Sequence, residues 1–524
     1  MGAISMRRGR MIEMATGEGK TLTALLAATS FAVSGQRVHV MTANRYLAER
    51  DAELAAAVGE RLGLTVGCLP ADSTPEKSLP LYRRHLLYTT LYEVGFDWLR
   101  DRQQQQRTGD RPTLPHLPVA IVDEADMLLI DEARTPMILS DGARPTKQYM
   151  HQCVWARTVA ETMRVEVDFI TERRDHIRLL DPARRLIYSA FGADRDASVE
   201  NALLAALRAR MFYTRDVDYI VDKGQVIIVD GKTGRRMPSR RWPDGLHDAV
   251  AIREGLRPPG PTQHTAQISV QEFIAQYRQV CGCIGTIVDA AREMWAVYGV
   301  ETLPIPTHRP CIRKAHPTEV YTTPAEQYRA VADHVRGLVH DGRAVLIGTT
   351  HIATSERLSE VLHDRGIDHR VLNARRDAEE AEVIAEAGQP GRVTIATNMA
   401  GRGTDIHLHP DVRDNGGLEV ISLQMHESPR IDRQLVGRSA RQGDPGSARF
   451  VLSLQDPLLL EHAGDERLAL RSSTRKFGAP VRTTRALRLW RRVQRDLERR
   501  HREMRIALIT RQQSLEQLFG YDSE

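Results

Sequence analysis

Met14-Ala15-Thr16-Gly17-Glu18-Gly19-Lys20-Thr21 lies between Ile12–Met14, a stretch that reads as a short strand, and Lys20–Val33, a Leu- and Ala-rich stretch that reads as a helix. A loop that cradles phosphate needs glycines, so that backbone N–H groups can turn inward without a side-chain clash. It also needs a lysine for the β- and γ-phosphates and a hydroxyl for Mg²⁺, all at a helix N-terminus. Gly17, Gly19, Lys20 and Thr21 supply these parts, and Glu18 stands between the glycines. Met14 occupies the place where the general phosphate-loop pattern has its first glycine. Gly-Lys-Thr alone would suit an ordinary glycine-rich turn; the strand–loop–helix setting favours the phosphate loop.

Two more stretches carry chemistry. Pro118–Val122 reads as a buried strand that runs straight into Asp123-Glu124-Ala125-Asp126. An aspartate at a strand's C-terminal edge can hold Mg²⁺, and the glutamate beside it can orient or deprotonate an attacking water. Far downstream stands Gln434-Leu435-Val436-Gly437-Arg438-Ser439-Ala440-Arg441-Gln442-Gly443. Arg438 and Arg441 are three apart, which on a helix predicts one shared face, and paired guanidiniums suit the spreading charge of phosphoryl transfer. An exposed basic helix is the plainer reading of the same residues. Ala396–Asp405 adds a glycine-rich loop after a strand, with Asp405 available to ribose or to coupling between lobes.

Around these motifs the pattern alternates apolar strands with amphipathic helices over Arg10–Leu139 and again from about Val320, as parallel α/β sheets require. Helices are expected at Tyr46–Leu62, Ala353–Asp364 and Asp377–Ala387, and strands at Val38–Met41, Leu86–Thr89, Ala344–Ile347 and Val393–Ala396. The stretch from about 148 to 256 breaks the rhythm, with a helix near Ala202–Met211 and a hairpin of Asp218–Val221 and Val226–Val229. No internal repeat is evident. From Thr483 onward one long helix is predicted, with Trp490, Val493, Leu497, Met504, Leu508, Leu515 and Leu518 at helical spacing and arginines on the other faces.

Composition narrows the function classes. No run approaches the roughly 18 apolar residues of a membrane span, and Met1–Arg10 lacks the apolar core of a signal peptide; a cytoplasmic protein is expected. The five cysteines include only one close pair, Cys281-Gly-Cys283, and nothing is spaced to complete a zinc site. Net charge is +5, but Arg467–Arg511 holds fifteen basic residues against three acids, so the basic character belongs to that segment.

The run Val122–Pro136, with its tail Ile130-Asp131-Glu132-Ala133-Arg134-Thr135-Pro136, resembles the SecA family and differs from ordinary DEAD-box helicases. So do Val38–Ala48, Gly95–Asp101, Gly234–Met237 with Arg240-Arg241-Trp242, Ile395–Asp405 and Arg438–Gly446. The resemblance covers most of the chain, from about residue 8 to at least Leu459. It implies an α/β architecture of two RecA-like parallel-sheet lobes, a superfamily 2 helicase-like motor, with an inserted α+β domain and a C-terminal long helix. The expected bounds are 1–147 for the first part of lobe 1, 148–260 for a preprotein cross-linking-like insert, 261–314 for the return to lobe 1, 315–465 for lobe 2 and 466–524 for a partial helical scaffold.

The same resemblance implies an ATPase that moves unfolded preprotein across the cytoplasmic membrane, cytoplasmic and peripheral to the inner membrane. Glu124, Arg438 and Arg441 would be catalytic. Gly17, Glu18, Gly19, Lys20, Thr21, Arg402 and Asp405 would bind ATP, and Thr21 and Asp123 would hold Mg²⁺, with no zinc expected. Partners would be unfolded preprotein, a SecY-type channel and an anionic phospholipid surface, with a homodimer as an option and no nucleic acid. Three departures stand out. The family's N-terminal helix with its adenine-reading glutamine finds no match, the insert reads as short over Asp141–Leu203, and the scaffold match ends partway along its first helix. Two alternatives remain on the residues themselves: a nucleic-acid-stimulated ATPase or helicase, and a nucleotide-binding paralogue without transport activity.

Overall fold

The computed structural model describes residues 1–70, 75–109, 114, 116–142, 145–173, 176–192, 197–222, 224–229, 236–237, 241–260, 262–286, 290–372, 383–397, 404–464, 466 and 483–519. These form two compact units, one of Met1–Met137 with Gln267–Glu524 and the other of Ile138–Ala266. The helix expected at Asp377–Ala387 and the motif residues Gly234, Arg235 and Arg240 fall largely or wholly outside the described residues.

The first unit contains two parallel sheets. In the first, the strand order is Thr302–Pro304, Met11–Glu13, Gln279–Ile284, Val119–Val122, Val38–Thr42, Leu86–Thr90 and Val66–Cys68. A sheet covered on both faces needs strands that are apolar throughout, and Val38–Thr42 and Val119–Val122 are buried at every residue. The helix Lys20–Val33 turns Ala24, Leu25, Ala27, Ala28, Phe31 and Ala32 onto this sheet. A short helix, Gly2–Arg7, precedes the first strand. Local chemistry sets the helix ends: Asn44 accepts from Leu47 N at 2.9 Å, and Thr90 and Glu93 form a reciprocal capping box.

The second sheet runs Lys314–Ala315, Gly446–Ser453, Leu418–Ser422, Val345–Thr349, Val393–Thr397 and Arg370–Leu372, with Glu319–Tyr321 also paired to Gly446–Ser453. Inside it Glu419 is 1% exposed, yet it accepts from His334 (2.9 Å), Arg343 (3.0 Å) and Ser447 (2.7 Å). Burial alone would raise the pKa of this carboxyl, but His334, Ser447 and Arg343 together hold it down at about 2. Glu419→Gln should therefore cost about 3–5 kcal/mol at neutral pH, because it removes the buried counter-charge of the half-buried Arg343 and Arg449. A carboxylate whose folded pKa is lowered stabilises fully above its ordinary value and loses that contribution as pH falls through the lowered one. The gap between wild type and variant in chemical denaturation should thus narrow from pH 4.5 towards 2. A gap that is constant over that range would disprove the assignment.

The long helix appears as expected, over Thr483–Phe519. Ala486, Leu489, Trp490, Val493 and Leu497 are buried in one cluster with Val320, Leu452, Leu454, Leu458 and Leu459. The apolar stripe is interrupted at Met504, which is 56% exposed, while Leu508 is half-buried. At that level the helix is held by charge. Arg505, 4% exposed, donates to both Glu293 oxygens at 2.5 and 2.9 Å and to Ile130 O at 3.2 Å. Leu515 and Leu518 lie where side chains are outside the described set. No helix among the described residues is long and apolar enough to cross a membrane.

The second unit carries an internal repeat that the sequence reading does not detect. Helices Lys147–Thr162 and Ala197–Phe212 both run sixteen residues and start fifty residues apart. Each leads into the same turn: Arg164 N donates to Asp168 Oδ2 at 2.8 Å, and Thr214 N to Asp218 Oδ2 at 2.7 Å. Glu166 and Asp216 both adopt positive φ, 66° and 63°. An antiparallel hairpin follows in each copy, Phe169–Arg173 with His176–Leu179 and Tyr219–Asp222 with Gln225–Val229. Each leading helix also has the carbonyls at its C-terminal end bound by an arginine from a later helix. Arg210 reaches Met163 O at 2.9 Å, and Arg253 reaches Tyr213 O at 2.8 Å. Only Val, Asp and Ile are shared between Val165–Ile170 and Arg215–Ile220, too little for sequence alone to register.

Candidate nucleotide site

Three neighbouring strands of the first sheet, Met11–Glu13, Gln279–Ile284 and Val119–Val122, deliver their C-terminal ends to one edge, where α/β sheets place ligands. The loop after the first places Lys20 Nζ 3.1 Å from Glu124 Oε1. Burial opposes the Lys20 charge, but Glu124, Asp123 and Asp126 outweigh it and its pKa is raised. Gly17 and Gly19 take φ of 89° and 85°, which only glycine adopts without strain. A Cβ on Gly17 would lie 3.0 Å from Arg441 Cδ. Glu124 itself has φ 51°, an uncommon conformation for a non-glycine residue that aims its carboxylate at Lys20. Asp123 is buried beside it. Burial first, then the Glu124 charge, push its pKa up to about 6 against the pull of Lys20.

The facing residues come from the second lobe. Arg438 and Arg441 do not share a helical face, contrary to the expectation from their spacing. The helix Pro429–Val436 ends before them, and left-handed backbone at Ala440 (φ 54°) and Gln442 (φ 52°) folds the chain into a tight turn. This turn, rather than helical periodicity, brings both arginines to the site. Arg441 donates to Asp405 and to Gly437 O (3.2 Å), and Gln442 Nε2 donates to Gly17 O at 2.8 Å.

Thr16, Gly17, Gly19, Lys20, Thr21, Asp123, Glu124, Asp405, Arg438 and Arg441 all border one cavity of about 270 Å³. Glu18 does not border it; its carboxylate accepts from His308 N at 3.0 Å. Arg402 lies outside the described residues.

This arrangement suits a hard cation. The Thr21 hydroxyl and the Asp123 carboxylate line the same cavity, and a buried carboxyl with a raised pKa gains from a neighbouring positive charge. Both ligands are oxygens, as Mg²⁺ prefers, and the residues present fit such an ion.

Residues 1–295 match the SecA DEAD-like domain, and residues 310–413 and 408–475 match the SecA P-loop domain. The chain belongs to the SecA family. It is 40% identical over 516 residues to the protein translocase subunit SecA of Lawsonia intracellularis, covering 97% of this chain and 62% of that protein. The subunit of the same name from Oleidesulfovibrio alaskensis is also 40% identical, over 97% of this chain and 59% of its own length. The chain thus spans about three-fifths of the length of these curated relatives. Among solved structures, Saccharomyces cerevisiae Dbp5 bound to RNA and ADP BeF3 has 13% identity and a TM-score of 0.42, over 92% of this chain and 88% of that one. The DEAD-like and P-loop matches of this SecA-family chain imply nucleotide binding, and they cover the regions that carry its two parallel sheets.

The structure adds residues that sequence reasoning did not single out. Asp126 Oδ2 accepts from Gln434 Nε2 across the lobes and from Thr286 Oγ1 at 3.4 Å. Gln434 and Gln442 were visible within the arginine motif, but nothing local to them indicated contact with residues some three to four hundred positions away. Thr286 follows a strand that sits beside the Asp123 strand only after folding.

Proposed function

We propose that this chain is the ATP-hydrolysing motor of a preprotein translocase of the SecA type. The observation that carries the reading is the convergence of Lys20, Glu124 and the Arg438–Arg441 turn, from two lobes, on one cavity. Backbone N–H groups of Gly17–Thr21 and the Lys20 ammonium would bind the phosphates. Glu124 would release Lys20 to them and accept the proton of the attacking water. Arg438 and Arg441 would meet the charge that develops as the bond to the leaving group breaks. Thr21 and Asp123 would hold Mg²⁺, which supplies charge neutralisation between the β- and γ-phosphates. Asp405 would orient Arg441 or touch the ribose.

Because Asp126–Gln434 and Gly17–Gln442 join the lobes beside the phosphates, turnover would change how the lobes meet, and that change would be transmitted to a bound polypeptide. The expected substrate is unfolded preprotein, and the expected setting is the cytoplasmic face of the inner membrane against a SecY-type channel. Exposed Arg488, Arg491, Arg492, Arg495, Arg499 and Arg502 along the long helix suit an anionic phospholipid surface. A homodimer fits the same reading, and nucleic acid is not among the partners proposed.

Steady-state ATPase activity of the purified chain tests this, measured alone and with unfolded preprotein, anionic liposomes or RNA. Stimulation by preprotein or liposomes is expected. Strong stimulation by RNA with none by polypeptide would turn the reading to a nucleic-acid motor. Absence of turnover under every condition would leave a nucleotide-dependent binding protein.

A further inference from the structure

Between the strands Thr302–Pro304 and Lys314–Ala315 the chain crosses from the first sheet to the second. Arg309, Cys311 and Arg313 of this crossing all meet the arginine turn. Arg313 Nη1 donates to Val436 O at 3.2 Å. Val436 ends its helix, where carbonyls lack intrahelical partners and a cation is favoured. Cys311 Sγ lies 3.8 Å from Ala440 O, at the left-handed residue of the turn. The Arg309 side chain packs on Gly443, where an added Cβ would approach it to 2.9 Å. One residue upstream, His308 N binds Glu18 of the phosphate loop.

We propose that this crossing segment is a strap that positions the arginine turn against the phosphate loop, with Arg313 its principal positioning residue. The proposal rests on the reading above, that Arg438 and Arg441 serve ATP hydrolysis. Residues held in left-handed backbone without glycine are strained and persist only where neighbours impose them. Ala440 and Gln442 are two such residues. Arg313 contacts the backbone where the helix before that turn ends and Cys311 contacts it at Ala440, so loosening the strap would let the guanidiniums drift.

The test uses the full chain, with Arg313→Gln and Arg313→Lys. In Arg313→Gln, kcat for ATP should fall about tenfold, with KM nearly unchanged, as expected for a small displacement of catalytic groups. Lysine should restore most of it. Independently of turnover, the exposed Cys311 thiol should react faster with a maleimide in Arg313→Gln, as followed by mass spectrometry at that cysteine. An unchanged kcat, or a lowered kcat without faster labelling, overturns the proposal. A wild-type chain without turnover is a failure of the functional reading alone. Labelling then still decides, with faster reaction supporting the strap and an unchanged rate refuting it.

Discussion

Glu124→Gln should lower steady-state ATP turnover at least about a hundredfold while nucleotide binding survives, since general-base contributions run to about 10²–10⁴. The amide keeps the volume and the side-chain length of the carboxylate, so the left-handed backbone at this position is not disturbed. What changes is chemical: the amide cannot accept a proton from water, and Lys20 loses the charge of its 3.1 Å partner. Lys20 then meets phosphate with less competition, so the affinity for a fluorescent ATP analogue should hold or rise. Lys20→Ala should behave in the opposite way, losing affinity together with turnover. Single-turnover hydrolysis alongside equilibrium binding separates these cases. A Glu124→Gln chain that retains more than about a tenth of wild-type turnover would remove Glu124 from the role of base.

Trp490→Ala should destabilise the first unit by about 3–5 kcal/mol, the usual cost of truncating a fully buried large aromatic. Trp490 is 0% exposed and packs among Val320, Leu452, Leu454 and Leu459, so the cavity would open where the long helix rests on the second sheet. Denaturant unfolding should show the loss, and limited proteolysis should show earlier cleavage among the arginines that follow. Met504→Ala serves as the control: at 56% exposure it should change stability by no more than about 0.5 kcal/mol. Equal effects of the two substitutions would mean that the helix is not seated through its Trp490 stretch.

Much of this chain could be read from local pattern. The phosphate loop, the Asp123-Glu124 pair and the long helix depend on residues adjacent in sequence, where periodicity, glycine placement and end-capping operate over a few positions. That is why the helices Lys20–Val33 and Thr483–Phe519 begin where the pattern places them. The expectation of a shared helical face for Arg438 and Arg441 failed for the converse reason. Spacing presumes regular backbone, whereas left-handed conformations at Ala440 and Gln442 are imposed by what packs around them. The stripe that should have run on through Met504 failed similarly: Met504 is exposed, and a buried Arg505–Glu293 pair holds the helix at that level.

By itself, the sequence determined two parallel α/β lobes, a phosphate loop backed by a strand-end acid pair, and a long C-terminal helix, because each is a matter of short-range periodicity and chain stereochemistry. Only the tertiary structure decided which groups meet across the lobes, Gln434 with Asp126 and Gln442 with Gly17, that Arg441 meets Asp405 within the second lobe, and that the second unit is built from one motif used twice. Those outcomes depend on which strands become neighbours and on how buried polar groups find partners far away in sequence, and no local pattern encodes either.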